Sequence, residues 1–363
     1  MSRGPFRILV VNPGSTSTKI ALFEDEAQRD SASLAHPADA LSRFIRIADQ
    51  LPFRLGAVES FMAERDIRPA SLDAVVGRGG LLRPMEGGTY AVDDRMAEDL
   101  RTAAEGEHAS NLGGLIARVI ADQAGISAYI VDPVVVDEMD EVARLTGLPE
   151  FRRRSIFHAL NQKAVAREAG RRLNRPVQSL RLIVAHLGGG ISVGAHREGR
   201  VVDVNNALDG DGPFSPERSG GLPSGQLADW CCSGKASLSE IRRKLTGHGG
   251  MVAHLGTNDL VEVERRIAAG DRTAALVRDA MAYQTAKQIG AMAAVLEGRV
   301  DALVLTGGLA ASAVFTEAVL ARVRWIAPVF VLPGEKEMES LAQGGLRILR
   351  GEETPGSYAA SGD

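Results

Sequence analysis

Cysteine is nearly absent: Cys231 and Cys232 are the only two in 363 residues, and immediate sequence neighbours rarely close an unstrained disulfide. A disulfide-stapled fold is excluded, and free thiols in a reducing compartment are expected. No Cys/His spacing suggests zinc, and no G-x-x-x-x-G-K-S/T run occurs, so Gly234-Lys235 is not a P-loop. Any nucleotide must be held by another fold. Long apolar runs are missing too. The N-terminus passes from Met1-Ser2-Arg3-Gly4-Pro5 straight into a strand without the core of a signal peptide, and no stretch approaches membrane-spanning length. A cytoplasmic location is the expectation. Charge of one sign is scarce: a net of −4 gives no general pull toward nucleic acid or an anionic membrane. An anion must therefore be captured locally. What remains is an ordinary globular composition, 45% apolar and 24% charged, with length enough for two domains that each own a core.

What is present starts with Ile8-Leu9-Val10-Val11-Asn12-Pro13-Gly14-Ser15-Thr16-Ser17-Thr18-Lys19-Ile20-Ala21-Leu22-Phe23, an apolar strand, a tight Gly/Ser/Thr turn and a second strand. The run from Arg181 to Gly194 repeats it, with Asn12 over His186, Gly14 over Gly188 and Thr18 over Ser192. A second pair follows in the same order, Asp73 to Leu81 over Asp301 to Leu309. Two ordered pairs imply an internal duplication, with the additional material of the second half around Asn206 to Asp271. Each pair brings a polar glycine turn to the end of a buried strand, where backbone N–H groups can converge on phosphate oxygens. Glycine permits close approach and positive φ, and the hydroxyls add donors without bulk. One such turn alone is an ordinary hairpin; four in a repeated order point to a cleft between two facing halves.

Strands alternating with helices argue for an α/β layer structure. Helices are expected near Leu41 to Arg65, Asp94 to Ala104, Ser110 to Ala124, Asn161 to Leu173, Thr273 to Glu297 and Glu339 to Arg350. Strands are expected at Leu72 to Val76, Ile126 to Val131, Arg200 to Asn205 and Ala302 to Leu305. The region from Asp209 to Gly225 lacks periodicity but carries Asp209, Asp211, Glu217, Arg218 and Ser219, the composition of a site loop. The Gly/Ser/Ala-rich tail after Pro355 is expected to fray.

Asn12-Pro13-Gly14-Ser15-Thr16-Ser17-Thr18-Lys19, Phe157-His158, His186-Leu187-Gly188-Gly189-Gly190, Arg218-Ser219-Gly220 and Thr306-Gly307-Gly308-Leu309 together resemble the acetokinase family of short-chain acyl kinases, over nearly the entire chain. Pro13, Gly79-Gly80, Pro133 and Gly189 resemble the branch of that family that acts on butyrate. The resemblance implies a duplicated ribonuclease H-like, actin-like ATPase fold, two βββαβαβα domains around an ATP cleft. The corresponding division is 1–175 for the acyl-substrate domain, 176–335 for the nucleotide domain, 336–354 for a C-terminal helix returning to the first domain, and 355–363 for a flexible tail. It also implies ATP and Mg2+, a homodimer, and reversible transfer between ATP and the carboxylate of butyrate or a branched short acid. Acetate and propionate remain alternative acceptors. A non-catalytic actin-like or chaperone-like ATP-binding protein is the alternative of another class, and a sugar kinase would need an aspartate base in a sugar-binding segment that the sequence does not display.

Phosphoryl transfer spreads charge over the equatorial oxygens, so cations must be positioned there. By resemblance Arg78, on the acyl side, and Arg218, from the loop, supply them, although most arginines are simply solvated. The resemblance makes Asn12, Ser15 and Thr16 the first phosphate turn, with Asn12 also near Mg2+, and His186, Gly188, Gly189 and Gly190 the second. It makes His158 a donor to the transferring phosphoryl group, Asp132 a catalytic aspartate, and Thr306, Gly307, Gly308 and Leu309 the adenosine motif. Asp132 could otherwise be a turn-initiating residue before Pro133. Glu337 matches the Mg2+-associated glutamate, with Glu335 and Glu339 as neighbours that could replace it. Mg2+ prefers oxygen ligands and keeps waters, so one carboxylate with ATP phosphates is sufficient. His36, His196, His248 and His254 read as structural, while His108 resembles part of an acyl-pocket segment.

Overall fold

Ile8, Leu9, Val10 and Val11 are each fully buried, so the strand they form is covered on both faces, as a continuous apolar run requires. The structure, a computed structural model, describes residues 4–359; the expected start at Met1-Ser2-Arg3 and the end of the tail at 360–363 lie outside the described residues. Strand β1 (Arg7–Pro13) pairs antiparallel with β2 (Ser17–Glu24), which pairs with β3 (Ala27–Ala35). On its other edge β1 takes β4 (Ala74–Arg78) in parallel; β5 (Thr89–Ala91) and β6 (Ser127–Val131) extend the sheet, β6 parallel to β4. Helices α1 (Ala38–Leu41), α2 (Leu51–Glu64), α3 (Asp94–Thr102) and α4 (Asn111–Ala124) belong to the same unit. Where α4 crosses β4, a side chain on Gly77 would run into the Gly113 backbone. The two glycines let helix and strand touch backbone to backbone.

The second sheet is built alike. Here β7 (Arg181–Leu187) pairs antiparallel with β8 (Ile191–Arg197), β8 with β9 (Arg200–Val204), and β7 pairs in parallel with β10 (Ala302–Gly307), which takes β11 (Val329–Pro333). Its helices are α5 (Glu141–Arg144), α6 (Ala159–Leu173), α7 (Ser224–Cys232), α8 (Leu238–Thr246), α9 (Gly250–Leu255), α10 (Leu260–Ala268), α11 (Arg272–Val295) and α12 (Ala313–Val323). Alternation on β7 fixes its two faces. Ile183 and Ala185 join Met281 and Ile289 of α11 in one core, and Leu182 and Val184 join Val165 and Ala169 of α6 in another.

With β12 (Gly356–Ser357) at one edge, the sheet orders are β12-β5-β6-β4-β1-β2-β3 and β11-β10-β7-β8-β9, so each half lays out its first five long strands as third, second, first, fourth, fifth. A matched clamp repeats as well. Asp73 accepts the Arg7 N–H at 2.8 Å and Asp301 accepts the Arg181 N–H at 2.8 Å, each with the reverse backbone bond at 2.8 Å. The duplicated α/β fold is thus present at the level of strand order and register. One equivalence shifts. Asn12 faces Lys19 across the first hairpin and His186 faces Ser192 across the second, so the first loop is one residue longer and Lys19, not Thr18, is the counterpart of Ser192.

The chain forms two compact units, residues 1–136 with 336–363, and residues 137–335. Residues 137–175, expected with the first domain, belong to the second because α6 packs on β7 and β10. Reciprocally α13 (Glu337–Leu349) packs on β1, β4 and β6, with Gly345 so close that a side chain there would come within 2.7 Å of Val76. The tail continues as β12 (Gly356–Ser357) on β5, followed by the fully buried Tyr358. The expected fraying is therefore not found over 355–359, where sheet pairing and aromatic burial hold the chain. The expected helix from Leu41 begins only at Leu51, with Pro52 in its first turn, where the ring's fixed φ suits a helix start.

Candidate active site

In the first unit the parallel strands β1, β4 and β6 end side by side, and the predicted residues sit at those ends. Asn12 lies near the end of β1, Arg78 at the end of β4, and Asp132 just after β6. Glu337, in the first turn of α13, joins two of them: its Oε2 accepts from Asn12 Nδ2 at 2.8 Å and its Oε1 pairs with Arg78 Nη1. Asp132 is turned differently. Its φ of 38° and burial go with a two-way bond to Gly88, Oδ1 accepting the Gly88 N–H at 2.8 Å and its own N–H donating back at 2.9 Å. Its carboxylate is thus partly committed to the backbone. A side chain on Gly79 would lie 2.6 Å from Pro133 Cβ, so two of the branch-marking positions are packed on one another. His108 bonds Ser110 through Nδ1 at 2.8 Å, and burial, then the Arg78 charge, lowers its pKa.

The first turn exposes Ser15 and Thr16. Beneath it lies Arg54 of α2, which the sequence did not single out. Its guanidinium donates to Gly14 O at 2.8 Å, Ser15 O at 3.1 Å, Ser17 O at 3.1 Å and Thr18 Oγ1 at 3.2 Å. Thr18 also bonds His36 at 2.8 Å, which makes His36 structural.

In the second unit His186, at the end of β7, stands in register beside Thr306 of β10. His158 caps α6 and stacks on His186, ring centroids 3.7 Å apart and nearly parallel. The hydrogen-bond network orients both rings. Asn161 Nδ2 donates to Glu335 O at 2.9 Å, so its Oδ1 accepts His186 Nδ1–H at 2.8 Å. His186 Nε2 is buried 3.6 Å from Glu335 Oε1, with no hydrogen-bond partner among the described residues. Burial pushes the His196 pKa down to about 3, so this ring is neutral and gives its Nε2–H to Gln162 Oε1 at 3.0 Å. Gln162 Nε2 donates to Ser192 Oγ at 2.8 Å, which turns the Ser192 hydroxyl hydrogen to His158 Nδ1 at 2.9 Å. His158 therefore carries its proton on Nε2 as a donor.

The Gly188 to Gly190 turn is tied to the Arg218 loop. Ser215 Oγ donates to Gly189 O at 2.5 Å and the Glu217 N–H to the same oxygen at 3.2 Å. A side chain on Gly188 would come within 2.9 Å of His186 Nε2. Arg218 touches Glu217 through Nη1 at 3.3 Å, while its Nε is buried with no partner among the described residues. Gly307 has a φ of 87° and two backbone bonds to Gly334, at 3.2 and 3.0 Å; Thr306 Oγ1 donates to Gly334 O at 3.1 Å. A side chain on Gly308 would meet only open space, and Leu309 packs on the core. The structure thus gathers the predicted residues into two sets, one in each unit. Arg54, Asn161, Gln162 and Ser215 are the additions.

Residues 127–330 match the description "Acetokinase family". This chain belongs to the acetokinase family. Butyrate kinase 2 of Clostridium acetobutylicum is 52% identical to it over 353 residues, covering 97% of this chain and 99% of that protein. Among solved structures, the acetate kinase of Porphyromonas gingivalis superposes with a TM-score of 0.76 at 22% identity, over 95% of this chain and 100% of that one. A propionate kinase from Francisella tularensis subsp. tularensis gives 0.72 at 19%, over 93% and 98%. At those identities the solved relatives establish the fold, the duplicated actin-like ATPase arrangement, for this acetokinase.

Proposed function

We propose that this acetokinase is a butyrate kinase: it passes the γ-phosphoryl group of ATP to the carboxylate of butyrate, or of a branched short-chain acid, and back, working in the cytoplasm as a homodimer. The observation that carries the reading is the 52% identity, nearly end to end, with Butyrate kinase 2 of Clostridium acetobutylicum. A carboxylate oxygen attacks the γ-phosphorus, its O–P bond forms as the bond to the β–γ bridging oxygen breaks, and the electron pair leaves with ADP.

In this reading Arg78 holds the acyl carboxylate, with Asp132 ordering the same strand ends. Ser15 and Thr16 offer the first turn to phosphate, and Gly188, Gly189 and Gly190 beside His186 offer the second. Arg218, whose buried Nε has no partner among the described residues, and His158, with its Nε2–H, donate to the phosphoryl oxygens as charge spreads over them. Thr306, Gly307, Gly308 and Leu309 receive the adenosine, where open space over Gly308 leaves room for it. Asn12 and Glu337 would hold Mg2+. Asn12 spends its amide nitrogen on Glu337, which leaves its amide oxygen as a hard donor of the kind this ion takes, while the Glu337 carboxylate, bonded by Asn12 and Arg78, would offer its remaining lone pairs. Bound there with ATP, Mg2+ would neutralise phosphate charge.

The test is ATP-dependent acyl hydroxamate formation with Mg2+, comparing acetate, propionate, butyrate, isobutyrate and isovalerate. Product greatest with butyrate or a branched C4–C5 acid is expected. Product greatest with acetate would move the acceptor to the shorter acid, and none with any acid would leave an ATP-binding protein. One methylene in an apolar pocket is worth only about 1–3 kcal/mol, so the acids must be compared by kcat/KM.

A further inference from the structure

A buried cation without a counter-charge is costly, and proteins pair such groups or use them. Arg54 is 1% exposed, and among the described residues no carboxylate pairs with it. Its partners are neutral oxygens: Gln50 Oε1 at 3.0 Å on Nε, the Gly14, Ser15 and Ser17 carbonyls, and the Thr18 hydroxyl. Burial, then the Arg54 charge, lowers the pKa of nearby His36, and an imidazole supplies no counter-charge in either form. The positive charge therefore lies under the first turn with nothing to balance it.

The hydrogen bonds also orient that turn. In a trans peptide the C=O of one residue and the N–H of the next point opposite ways. Gly14 O drawn inward thus turns the Ser15 N–H outward, and Ser15 O drawn inward does the same for Thr16. Neither N–H has a backbone partner among the described residues. Outward N–H groups over a buried positive charge are what a phosphate oxygen requires.

We infer that Arg54 is a positioning residue for phosphate: from beneath, it sets the Ser15 and Thr16 N–H groups toward the anion and supplies the uncompensated charge that attracts it. This rests on the proposed phosphoryl transfer and assigns that site a cation that never touches substrate.

The decisive variant is Gln50→Glu, which keeps the bond to Arg54 Nε and places a negative charge against the guanidinium. The Kd for ATP, measured by calorimetry without acid, and the KM for ATP are expected to rise about tenfold, with thermal stability unchanged or higher. The neutral Gln50→Met variant loses the same bond without adding charge and is expected to change both by less than about twofold. Arg54→Lys keeps charge but cannot reach all the carbonyls, and falls between wild type and Gln50→Glu if it folds. Unchanged ATP affinity in a folded Gln50→Glu protein, or equal losses in Gln50→Glu and Gln50→Met, would overturn the inference and leave Arg54 a structural tie. The binding measurement separates the two readings, because a wild type that makes no hydroxamate defeats the proposed reaction while the affinity comparison still tests Arg54.

Discussion

Three arginines in this chain carry the same charge in different surroundings, and the difference predicts how each fails. Arg54 is satisfied by carbonyls, Arg78 is paired with Glu337, and Arg218 has only Glu217 at 3.3 Å with Nε left over. Removing Arg218 therefore takes away little internal bonding. Arg218→Ala is expected to lower kcat about 10³-fold, the lower range for a cation that stabilises phosphoryl transfer, while the melting temperature barely moves. Arg78→Ala should lose turnover too, but also stability, because Glu337 keeps only Asn12. Near-normal turnover in folded Arg218→Ala would remove that residue from the mechanism. The glycine and histidine motifs were legible in the sequence because each is contiguous. Arg54 was not, since the turn oxygens it binds lie 36 to 40 residues away, and only the folded turn shows that its charge has a use.

At the scale of elements, the seam between α6 and β8 is made of polar groups, with Gln162 fully buried and bonded to both Ser192 and His196. The sequence showed the α6 periodicity but not this seam, which depends on Gly194 leaving room for the Gln162 amide. It also missed α7 to α10, which are only six to nine residues long, with few buried residues among them, so none runs for more than about two and a half turns of periodic signal. His196 gives the seam a pH dependence with a definite sign. Its folded pKa of about 3 lies below the ordinary histidine value of 6.5, so the unfolded chain binds the extra proton between those values. The seam's stability is complete above pH 6.5 and falls as pH drops from there toward 3, by about 1.4 kcal/mol per unit. In urea titrations at pH 7 and pH 5, wild type should lose about 2 kcal/mol more than His196→Gln over that interval. Equal losses in the two proteins would show that His196 is protonated without cost.

For the whole molecule, the duplication predicts two similar halves, but the chain does not cut where the repeat does. Each unit takes a helix from the other half of the sequence: α6 precedes the second sheet it packs on, and α13 follows the second sheet but packs on the first. Local patterns placed both helices, and the family resemblance implied the return of α13 to the first unit, whereas the destination of α6 depends on long-range packing that no periodicity encodes. The consequence is asymmetric. Residues 137–335 are continuous and contain every element of their unit, while the other unit needs both chain ends. From those ends it receives Leu341 and Leu346, both buried, and Tyr358, whose hydroxyl donates to Asp99 at 2.8 Å and accepts from Arg83. Burying the two leucines contributes about 3–6 kcal/mol, a large part of the roughly 5–15 kcal/mol that holds a domain folded. Residues 137–335 expressed alone are therefore expected to melt cooperatively, and residues 1–136 alone to lack a cooperative transition until residues 336–363 are co-expressed with them. A sharp thermal transition in the 1–136 fragment by itself would mean that α13 and the tail only decorate a core that is already complete.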